Sequence, residues 1–546
     1  MQILLSNQNH SQVKNPGQVV YVKRLVIEFQ QQHYTENFIQ CVIDGGLGEN
    51  KRGAILVIGG DGRFLCSQVI SIIIKVAAAN GISKLIIGRD GILSTPAVSH
   101  LIRKKDNGKN INGGIILTAS HNPGGPKNDF GIKFNCGNGG PAPDNVTEKI
   151  YQLTTKIDKY YICPELNIDF GQIATTTVNI KELGQFTIQV IDSVKEYADF
   201  MEEIFDFAKI RSFLNEMSGD CKFNILVDSM HGVTGPYVSH ILVDRFGARA
   251  DCCLRTVPKP DFGGCHPDPN LTYAKGLVDK MAEGKFDIGV AFDGDGDRNM
   301  ILGKGAFFVT PNDSLAIIAA NLTCIPYFRK NGVKGYARSM PTSCAVDIVA
   351  KSLGHKCYEV PTGWKYFGNL MDAGKLSLCG EESFGTGSDH IREKDGIWAF
   401  LAWLQILAEK RQSVEEIVLQ HWKEYGRNVY TRYDYENVEA TGANLMMSYL
   451  EPLIPGFTGM KLKANNREFE GLRIFFKDGS RVIFRLSGTG SAGATIRLYV
   501  ESFVEASNFY QLQLPAQELL KPLVLVALDI CKMEQFTGRT KPTVIT

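Results

Sequence analysis

The sequence has almost no net charge and lacks the segments that define several classes of protein. Its 59 Lys and Arg residues nearly balance 58 Asp and Glu residues, which argues against a nucleic-acid binder that relies on the positive field of the whole molecule. No apolar run approaches the ~20 residues that a membrane helix needs, so we expect no membrane insertion. Residues 1–17 have no basic n-region, and we expect no signal peptide.

Cysteine pairs with the spacing of a zinc site or a redox motif are also absent. The 13 cysteines are scattered along the chain, and only Cys252 and Cys253 are adjacent. Neither a zinc site nor a disulfide framework is therefore expected. Reduced thiols in a cytoplasmic protein account for this distribution.

An internal repetition predicts the domain organisation of this 546-residue chain. An apolar strand, a polar turn and a helix follow one another within 53–88, 223–247 and 334–360. This order is typical of a βαβ unit with a mainly parallel sheet. Residues 471–533 differ, because a hairpin, a further strand and a helix indicate an α+β unit with an antiparallel sheet. We expect three α/β domains, 1–192, 193–308 and 309–424, and an α+β domain, 425–546.

The first candidate site is the turn after the apolar run GGIILT, in the segment 118–125. Ser120 lies just past the end of a predicted strand, beside His121, Asn122 and two glycines. A serine hydroxyl in such a turn can accept a phosphoryl group, while the glycines let an anion approach the backbone. A hydrogen-bonded turn without chemistry is the alternative. The serine-hydrolase elbow is excluded, because it requires Gly-x-Ser-x-Gly.

The segment FDGDGDRN (292–299) is the strongest single motif. Asp293, Asp295 and Asp297 occupy alternate positions after a predicted strand. Three carboxylates this close repel one another unless a cation binds them, and Mg²⁺ completed by a phosphate oxygen fits this set. A calcium EF-hand loop is excluded, because it needs Gly and Glu where this sequence has Arg298 and Lys304. An acidic turn that caps a helix is the alternative.

Two further glycine-rich turns suggest sites for a sugar and a phosphate. In the segment 379–396, Glu381 and Ser383 could bind vicinal sugar hydroxyls, although a solvated loop has the same composition. In the segment 485–497, two arginines, a serine and a threonine surround a flexible loop, as a phosphate clamp requires. Two arginines exposed on neighbouring strands are the alternative there. The GxGxxG at 488–493 is not a dinucleotide fingerprint, because a strand-like segment follows it.

Together the four turns resemble the α-D-phosphohexomutase family. The matching segments are TASHNPGG, DGDGDR, GEESFGTGSDH and RLSGTGSAGATIR, in the family's order and spread over nearly the whole chain. The resemblance implies four domains around a central cleft, three related α/β domains and a C-terminal α+β domain. It also implies an isomerase that interconverts glucose 1-phosphate and glucose 6-phosphate. The route implied is a phosphoserine enzyme, with Mg²⁺ as cofactor and glucose 1,6-bisphosphate as intermediate and activator.

The resemblance assigns roles residue by residue. It implies that Ser120 is the phosphorylated serine and, through a phosphate oxygen, a Mg²⁺ ligand beside Asp293, Asp295 and Asp297. The residues implied to bind the substrate are Thr362, Gly363, Glu381 and Ser383 for the sugar hydroxyls, Arg485, Ser487, Thr489 and Arg497 for the non-reacting phosphate, and also Lys133. The residues implied to assist charge stabilisation or proton transfer are His121, Lys133, Arg298 and Lys394.

Three segments depart from the family's pattern. The family's Pro-Gly-Thr-Ser-Gly-Leu-Arg is missing from 15–29, where Lys23 or Arg24 is the candidate replacement for its cation. Residues 103–114 read as an insertion, and the chain is shortened between 457 and 471. The departure at 15–29 keeps an inactive or weakly active scaffold protein open as an alternative.

The partners expected are small sugar phosphates and no nucleic acid, for a cytoplasmic monomer or weak dimer. A phosphomannomutase, or a mutase of mixed specificity, is the enzymatic alternative, because only the resemblance of GEESFGTGSDH favours glucose.

Overall fold

The computed structural model describes residues 2–5, 21–218, 221–453, 471–487 and 493–546. At residues 2–5, 21–25, 217–218, 221–222 and 487 the description covers the backbone. None of the helices within these ranges is long and apolar enough to cross a bilayer.

The first unit is built on a seven-stranded sheet in the order β2-β6-β5-β3-β4-β9-β8. Strands β3, β4, β5 and β9 run parallel, whereas β2 and β6 at one edge and β8 at the other are antiparallel to their neighbours. The strands are β1 Gln2–Leu5, β2 Tyr21–Leu25, β3 Ile55–Gly60, β4 Lys84–Ile92, β5 Gly113–Leu117, β6 Asp129–Cys136, β7 Lys159–Ile162, β8 Thr175–Ile180 and β9 Gly184–Ile191. The helices are α1 Val26–Phe29, α2 Tyr34–Leu47, α3 Cys66–Ala79, α4 Thr95–Arg103 and α5 Asp144–Thr154.

The second unit has a five-stranded sheet in the order β13-β12-β14-β15-β16. Strand β12 is parallel to β13 and β14, and β15 returns antiparallel to β14. Its strands are β10 Met217–Ser218, β11 Cys221–Lys222, β12 Ile225–Asp228, β13 Cys253–Leu254, β14 Ile288–Phe292, β15 Asn299–Gly303 and β16 Phe307–Val309. Its α-helices are α6 Ser193–Ile204, α7 Phe207–Asn215, α8 Thr234–Val238 and α9 Lys275–Ala282.

The third unit has a four-stranded sheet in the order β18-β17-β19-β20. Strand β17 is parallel to β18 and β19, and β20 is antiparallel to β19. The strands are β17 Tyr336–Ser339, β18 Cys357–Val360, β19 Leu378–Gly380 and β20 Thr386–Ser388. The α-helices are α10 Pro311–Ala320, α11 Pro326–Asn331, α12 Ala345–Ser352, α13 Trp364–Asp372, α14 Gly396–Lys410 and α15 Val414–Tyr425.

The C-terminal unit has a sheet in the order β22-β23-β24-β21-β25 whose neighbouring strands all run antiparallel. The strands are β21 Arg427–Val438, β22 Leu472–Phe475, β23 Arg481–Ser487, β24 Ala494–Val504 and β25 Val544–Ile545. The α-helices are α16 Ala440–Leu450, α17 Phe509–Leu512, α18 Ala516–Cys531 and α19 Met533–Thr537. This confirms the prediction of three α/β units followed by an antiparallel α+β unit.

The three α/β units share one strand order, and this order places the functional turns. Their common part is β4-β3-β5-β6 in the first unit, β13-β12-β14-β15 in the second and β18-β17-β19-β20 in the third. In each case three parallel strands are followed by an antiparallel fourth. The turns that carry Ser120, Asp293 and Glu381 each connect the third of these strands to the fourth. Three parts of the candidate site thus come from the same position in three copies of a repeated unit.

Helix α14 packs against strands of both the second and the third unit. Its residues are buried from Gly396 to Ala408, as expected for a helix that is apolar on every side. The Asp395 side chain caps its first turn by accepting a hydrogen bond from the backbone N–H of Trp398 at 3.0 Å. Because Lys394 immediately precedes this cap, a fixed helix start determines where the lysine backbone lies.

The segments that depart from the family's pattern are described in part. Tyr21–Leu25 forms edge strand β2, and its antiparallel pairing places Tyr21 opposite Lys133. The proposed replacement of the missing cation by Lys23 or Arg24 stays a prediction. Residues 15–20 and most of the shortened segment, 454–470, lie outside the described residues.

Candidate active site

Ser120 lies in a strained turn just beyond strand β5. Its backbone φ is 51°, a left-handed conformation that costs energy for a residue with a side chain. Its backbone N–H donates to Thr118 Oγ1 at 2.7 Å, and its hydroxyl donates to Asp293 Oδ2 at 3.0 Å. The Nδ1 atom of His121 lies 3.3 Å from the same hydroxyl oxygen. The turn therefore directs the serine hydroxyl at the acidic motif of the second unit.

A buried ion pair that sequence reasoning did not assign to the site supports this turn. Arg63 Nε donates to both carboxylate oxygens of Asp61, at 3.1 and 2.9 Å, and both side chains are fully buried. Its Nη2 donates to the carbonyl of Ser120 at 2.9 Å, and its Nη1 donates to that of Asp129 at 2.9 Å. Thr118 Oγ1 donates to Asp61 Oδ2 at 2.6 Å. The available signal was the Gly-Asp-Gly-Arg turn that ends strand β3.

We expect Arg63→Lys to slow phosphorylation of Ser120 by roughly 10- to 100-fold, since small displacements of a reacting group cost about this much. A lysine keeps the charge but has no fork that reaches Asp61, Ser120 and Asp129 together. Single-turnover phosphorylation by glucose 1,6-bisphosphate measures the rate. Arg52→Lys, at an exposed arginine of the same unit, is the matched control. An unchanged rate in a folded Arg63→Lys protein would contradict this role.

The three aspartates form a buried cluster that fits a divalent cation. One carboxylate oxygen from each of Asp293, Asp295 and Asp297 lies within 4.8 Å of the others. The Oδ1 atoms of Asp295 and Asp297 are buried and have no hydrogen-bond partner among the described residues. Unpaired buried carboxylate oxygens are costly, and oxygen ligands of this kind are those that Mg²⁺ prefers. The donor set therefore fits Mg²⁺.

Burial and neighbouring charge act differently on the members of this cluster. Burial, together with the charges of Asp295 and Asp297, raises the pKa of Asp293 well above its usual range. Burial acts on Asp295 in the same direction, but Lys133, whose Nζ lies 2.9 Å from Oδ2, together with Lys394 and Thr95 outweighs it, so the pKa of Asp295 is lowered. Thr95 Oγ1 also donates to that oxygen, at 2.9 Å. Basic side chains of the protein thus offset part of the negative charge of the cluster.

Arg298 and Lys394 connect the acidic motif to the third unit. Lys394 Nζ lies 3.0 Å from Asp297 Oδ2. Arg298 Nε lies 3.9 Å from Asp293 Oδ2 and 3.8 Å from Asp297 Oδ1. These two carboxylates raise the pKa of Arg298, although burial by itself would lower it. The backbone of Arg298 also forms an antiparallel bridge to Gly385, so the acidic motif is joined directly to the glycine-rich segment 379–396, which we call the sugar loop after its predicted ligand.

The structure places the predicted sugar-binding residues around Glu381. Burial raises the pKa of its carboxyl, and the nearby charge of Lys394 opposes the rise. Glu381 Oε1 accepts a hydrogen bond from the backbone N–H of Gly363 at 3.4 Å, at the start of α13. Thr362 precedes that glycine, and Ser383 is half-buried in the same turn as Glu381. A buried carboxylate beside hydroxyl and amide donors can bind sugar hydroxyls.

Glu393 is a second residue that sequence reasoning missed. It is buried, and its Oε1 accepts a hydrogen bond from Asn135 Nδ2 at 2.9 Å. Burial raises the pKa of its carboxyl to about 7, while Lys133 opposes the shift. An acid between Arg392 and Lys394 was the only signal, and it is typical of any solvated loop.

The two predicted phosphate-binding arginines lie side by side on the C-terminal sheet. Arg485 of β23 and Arg497 of β24 are directly opposite in the antiparallel register. Like charges in such a pair repel unless an anion lies between them. Asp434 compensates in part, because its Oδ2 lies 3.7 Å from Arg497 Nε. Of the other predicted clamp residues, Thr489 lies outside the described residues, and Ser487 is described only by its backbone, as the last residue of β23.

The sugar loop and the arginine pair share one polar environment. Burial raises the pKa of Tyr499, the charge of Glu382 adds to the rise, and Arg485 and Arg497 oppose it. The candidate site thus combines a serine hydroxyl beside a carboxylate cluster that fits a cation with two adjacent arginines. These are the parts that transfer of a phosphoryl group requires.

Models of one protein family match most of this chain. The three α/β/α domains of phosphoglucomutase/phosphomannomutase match residues 22–161, 195–305 and 310–425, and the C-terminal domain of phosphoglucomutase-1 matches residues 461–543. The chain therefore belongs to the phosphoglucomutase/phosphomannomutase family.

Individual relatives agree over nearly the full length. The chain is 53% identical to phosphoglucomutase-1 of Homo sapiens, with 98% of each chain covered. It is 52% identical to the cytoplasmic phosphoglucomutase of Pisum sativum, with 96% of each covered. Among solved structures, the open form of pp63/parafusin, an exocytosis-sensitive phosphoprotein and phosphoglucomutase from Paramecium, is 46% identical with a TM-score of 0.88. That match covers 100% of this chain and 99% of the other.

Proposed function

We propose that this protein is a phosphoglucomutase, which interconverts glucose 1-phosphate and glucose 6-phosphate. The observation that carries the proposal is the 3.0 Å hydrogen bond from Ser120 Oγ to Asp293 Oδ2, within a buried cluster of three carboxylates. Relatives of about the same length, more than half identical to this chain, are named phosphoglucomutases. Neither observation favours mannose phosphate as the preferred substrate.

Some of the proposed site residues act on the transferring phosphoryl group, and the others bind the rest of the substrate. Ser120 carries the phosphoryl group, Asp293, Asp295 and Asp297 would hold Mg²⁺, and bound Mg²⁺ would offset the negative charge of that group. The remaining proposed assignments are His121, Lys133, Arg298 and Lys394 for charge stabilisation and proton transfer, Thr362, Gly363, Glu381 and Ser383 for the sugar, and Arg485, Ser487, Thr489 and Arg497 for the second phosphate.

In the first half-reaction, phosphorylated Ser120 donates to the free 6-hydroxyl of glucose 1-phosphate. The bond from phosphorus to Ser120 Oγ breaks as the bond to the sugar oxygen forms, and the hydroxyl proton passes to a basic group of the site. Arg298 and Lys394 stabilise the transferring charge, because both lie beside the acidic motif that faces the serine. The product of this step is glucose 1,6-bisphosphate and free Ser120.

In the second half-reaction, the bisphosphate presents its other end to Ser120. The arginine pair Arg485 and Arg497 holds whichever phosphate is not reacting, so either end fits the same clamp. Transfer of the 1-phosphoryl group to Ser120 leaves glucose 6-phosphate and restores the phosphoserine. His121 is placed to exchange the proton of the serine hydroxyl, since its Nδ1 lies 3.3 Å from Oγ.

We further propose a cytoplasmic location and sugar phosphates as the partners, acting on a monomer or weak dimer. The names of the plant relatives support the location. We propose domain limits of 1–192, 193–308, 309–424 and 425–546, with each of the first three containing one copy of the repeated strand order.

A coupled assay with glucose 1-phosphate, Mg²⁺ and catalytic glucose 1,6-bisphosphate tests this function. We expect turnover within the usual range of roughly 1–1000 per second, and a gain of one phosphate at Ser120 by intact mass and peptide mapping. Mannose 1-phosphate serves as the competing substrate, and a higher kcat/KM for it would replace the assignment by phosphomannomutase. A folded protein that neither turns over nor gains phosphate would be a scaffold instead.

A further inference from the structure

Side chains of the C-terminal sheet donate hydrogen bonds to three successive carbonyl groups in one turn of the third unit. We call residues 339–344, between β17 and α12, the connecting turn. Arg481 Nη1 donates to the carbonyl of Met340 at 2.9 Å, and Arg481 Nη2 donates to that of Thr342 at 2.5 Å. Tyr430 Oη donates to the carbonyl between them, that of Pro341, at 3.0 Å. Such a run of bonds fixes both the position and the orientation of the connecting turn.

A carboxylate on the neighbouring strand binds the same turn. Glu501 lies directly opposite Arg481 in the sheet and forms an ion pair with it. Its Oε1 accepts hydrogen bonds from the backbone N–H of Cys344 at 2.9 Å and from Asn428 Nδ2 at 2.7 Å. Arg481 is 3% exposed and Glu501 5% exposed. Because the charges are buried and fully partnered, a small relative displacement of the two units is costly.

The connecting turn also forms a hydrogen bond with the sugar loop. Thr342 Oγ1 accepts a hydrogen bond from the backbone N–H of Glu382 at 3.0 Å and lies 2.6 Å from Ser339 Oγ. Glu382 lies between Glu381 and Ser383, two of the residues proposed to bind the sugar. Thr342 is 1% exposed, so water does not compete for this bond. One residue thus contacts the C-terminal sheet through its carbonyl and the sugar loop through its side chain.

The strands that carry Arg481 and Glu501 also carry the phosphate clamp, Arg485 and Arg497, at a fixed distance from them. Arg481 and Arg485 are four residues apart on β23, so they point to the same face, roughly 14 Å apart. Glu501 and Arg497 have the same spacing on β24, opposite them. Between the two rows, Ile483 and Tyr499 are opposite and buried. The sheet is therefore a stiff spacer between the connecting turn and the clamp.

We propose that Arg481 and Thr342 are positioning residues that set the span between the sugar loop and the phosphate clamp. This rests on the proposed function. A hexose phosphate bound by its ring hydroxyls at Glu381 and by its phosphate at Arg485 and Arg497 is held at both ends of this span. Loosening the bond from Arg481 to the Thr342 carbonyl, or the bond from Glu382 to the Thr342 hydroxyl, lets the two subsites move relative to each other while each stays intact. Only a ligand that occupies both subsites then loses affinity.

The test compares Thr342→Val with Thr342→Ser, which differ in the hydroxyl that holds Glu382. We expect Thr342→Val to raise KM for glucose 1-phosphate about three- to tenfold, the effect of one buried hydrogen bond, and Thr342→Ser to stay within about twofold of the natural protein. Binding of inorganic phosphate and its Kd are measured by calorimetry. The part of the binding that Arg497→Gln removes is attributed to the clamp. We expect that part to be unchanged in both Thr342 variants.

Arg481→Lys provides a second probe, because it keeps the charge and loses the fork. We expect it to raise KM at least as much as Thr342→Val does. Arg473→Ala is the docking control, since Arg473 Nη1 bonds Glu359 Oε1 at 2.7 Å between the same two units and does not touch the connecting turn. We expect its KM to equal that of the natural protein.

The outcomes separate the two proposals. An unchanged KM in Thr342→Val, or a clamp affinity for phosphate that falls in parallel with the rise in KM, would overturn the positioning role. A rise in KM for Arg473→Ala equal to that for Arg481→Lys would also overturn it, because general docking would then explain the effect. Absence of turnover in the natural protein would instead reject the proposed function on which this role rests.

Discussion

Ser120→Ala is expected to abolish turnover, with a loss of kcat on the order of 10⁴-fold or more, as for removal of other covalent nucleophiles. Alanine has no oxygen to carry the phosphoryl group, so no phosphoenzyme forms from glucose 1,6-bisphosphate. The fold should survive, because the substitution removes only the hydroxyl's contacts with Asp293 and His121, each worth about 1 kcal/mol. Intact mass, the coupled assay and the thermal unfolding midpoint measure the three effects.

Ser71→Ala is the matched control for this experiment. Ser71 lies in helix α3 of the same unit, and its hydroxyl donates to the carbonyl of Ser67 within the same helix. We expect full activity and one phosphate gained. If Ser120→Ala turned over at the natural rate, or if peptide mapping placed the phosphate elsewhere, Ser120 would not be the acceptor.

Asp295→Asn is expected to raise the Mg²⁺ concentration for half-maximal activity by roughly 100-fold or more. The substitution keeps the shape but removes the charge of one proposed ligand, and charge governs the affinity of oxygen sites for Mg²⁺. It also removes the anionic partner of Lys133, 2.9 Å away, so kcat should fall as well. Activity titrated with Mg²⁺ measures the first effect, and saturating Mg²⁺ isolates the second.

A readout independent of activity accompanies the titration. Mg²⁺ that binds the folded state should raise the unfolding midpoint of the natural protein and have a much smaller effect on Asp295→Asn. Asp287→Asn is the control, because Asp287 is outside the acidic motif and lies 3.8 Å from Lys304. Equal Mg²⁺ dependence of all three proteins would mean that the carboxylate cluster is not the cation site.

Much of the fold could be predicted because its signals are local. The apolar runs before the turns are strands β3, β12 and β17, and the Asp478-Gly479 turn separates β22 from β23. Alternation and apolar runs report directly on which faces of a strand are buried. The segments that follow Leu117, Phe292 and Gly380 could be identified as candidate sites for the same reason, since polar, glycine-rich residues directly after a strand are unusual.

The supporting residues could not be predicted, because their contacts join distant parts of the chain. Arg63 contacts the carbonyl of a residue 57 positions away, and Thr342 holds the backbone of one 40 positions away. A buried arginine in a Gly-Asp-Gly-Arg turn looks like an exposed one in sequence. Only packing decides which of the two it is, since burial makes every unpaired donor costly and forces a partner to be found.

The sequence by itself determined the repeated strand–turn–helix units, the acidic triplet at Asp293, Asp295 and Asp297, and the serine turn before them. Only the tertiary structure decided that the turns converge. Each lies between the third and fourth strands of the repeated strand order, and the packing of the units brings the serine hydroxyl to within 3.0 Å of a carboxylate in another unit. The physical reason is that periodicity fixes local geometry, whereas the relative placement of sheets follows from burying their apolar faces against shared helices such as α14.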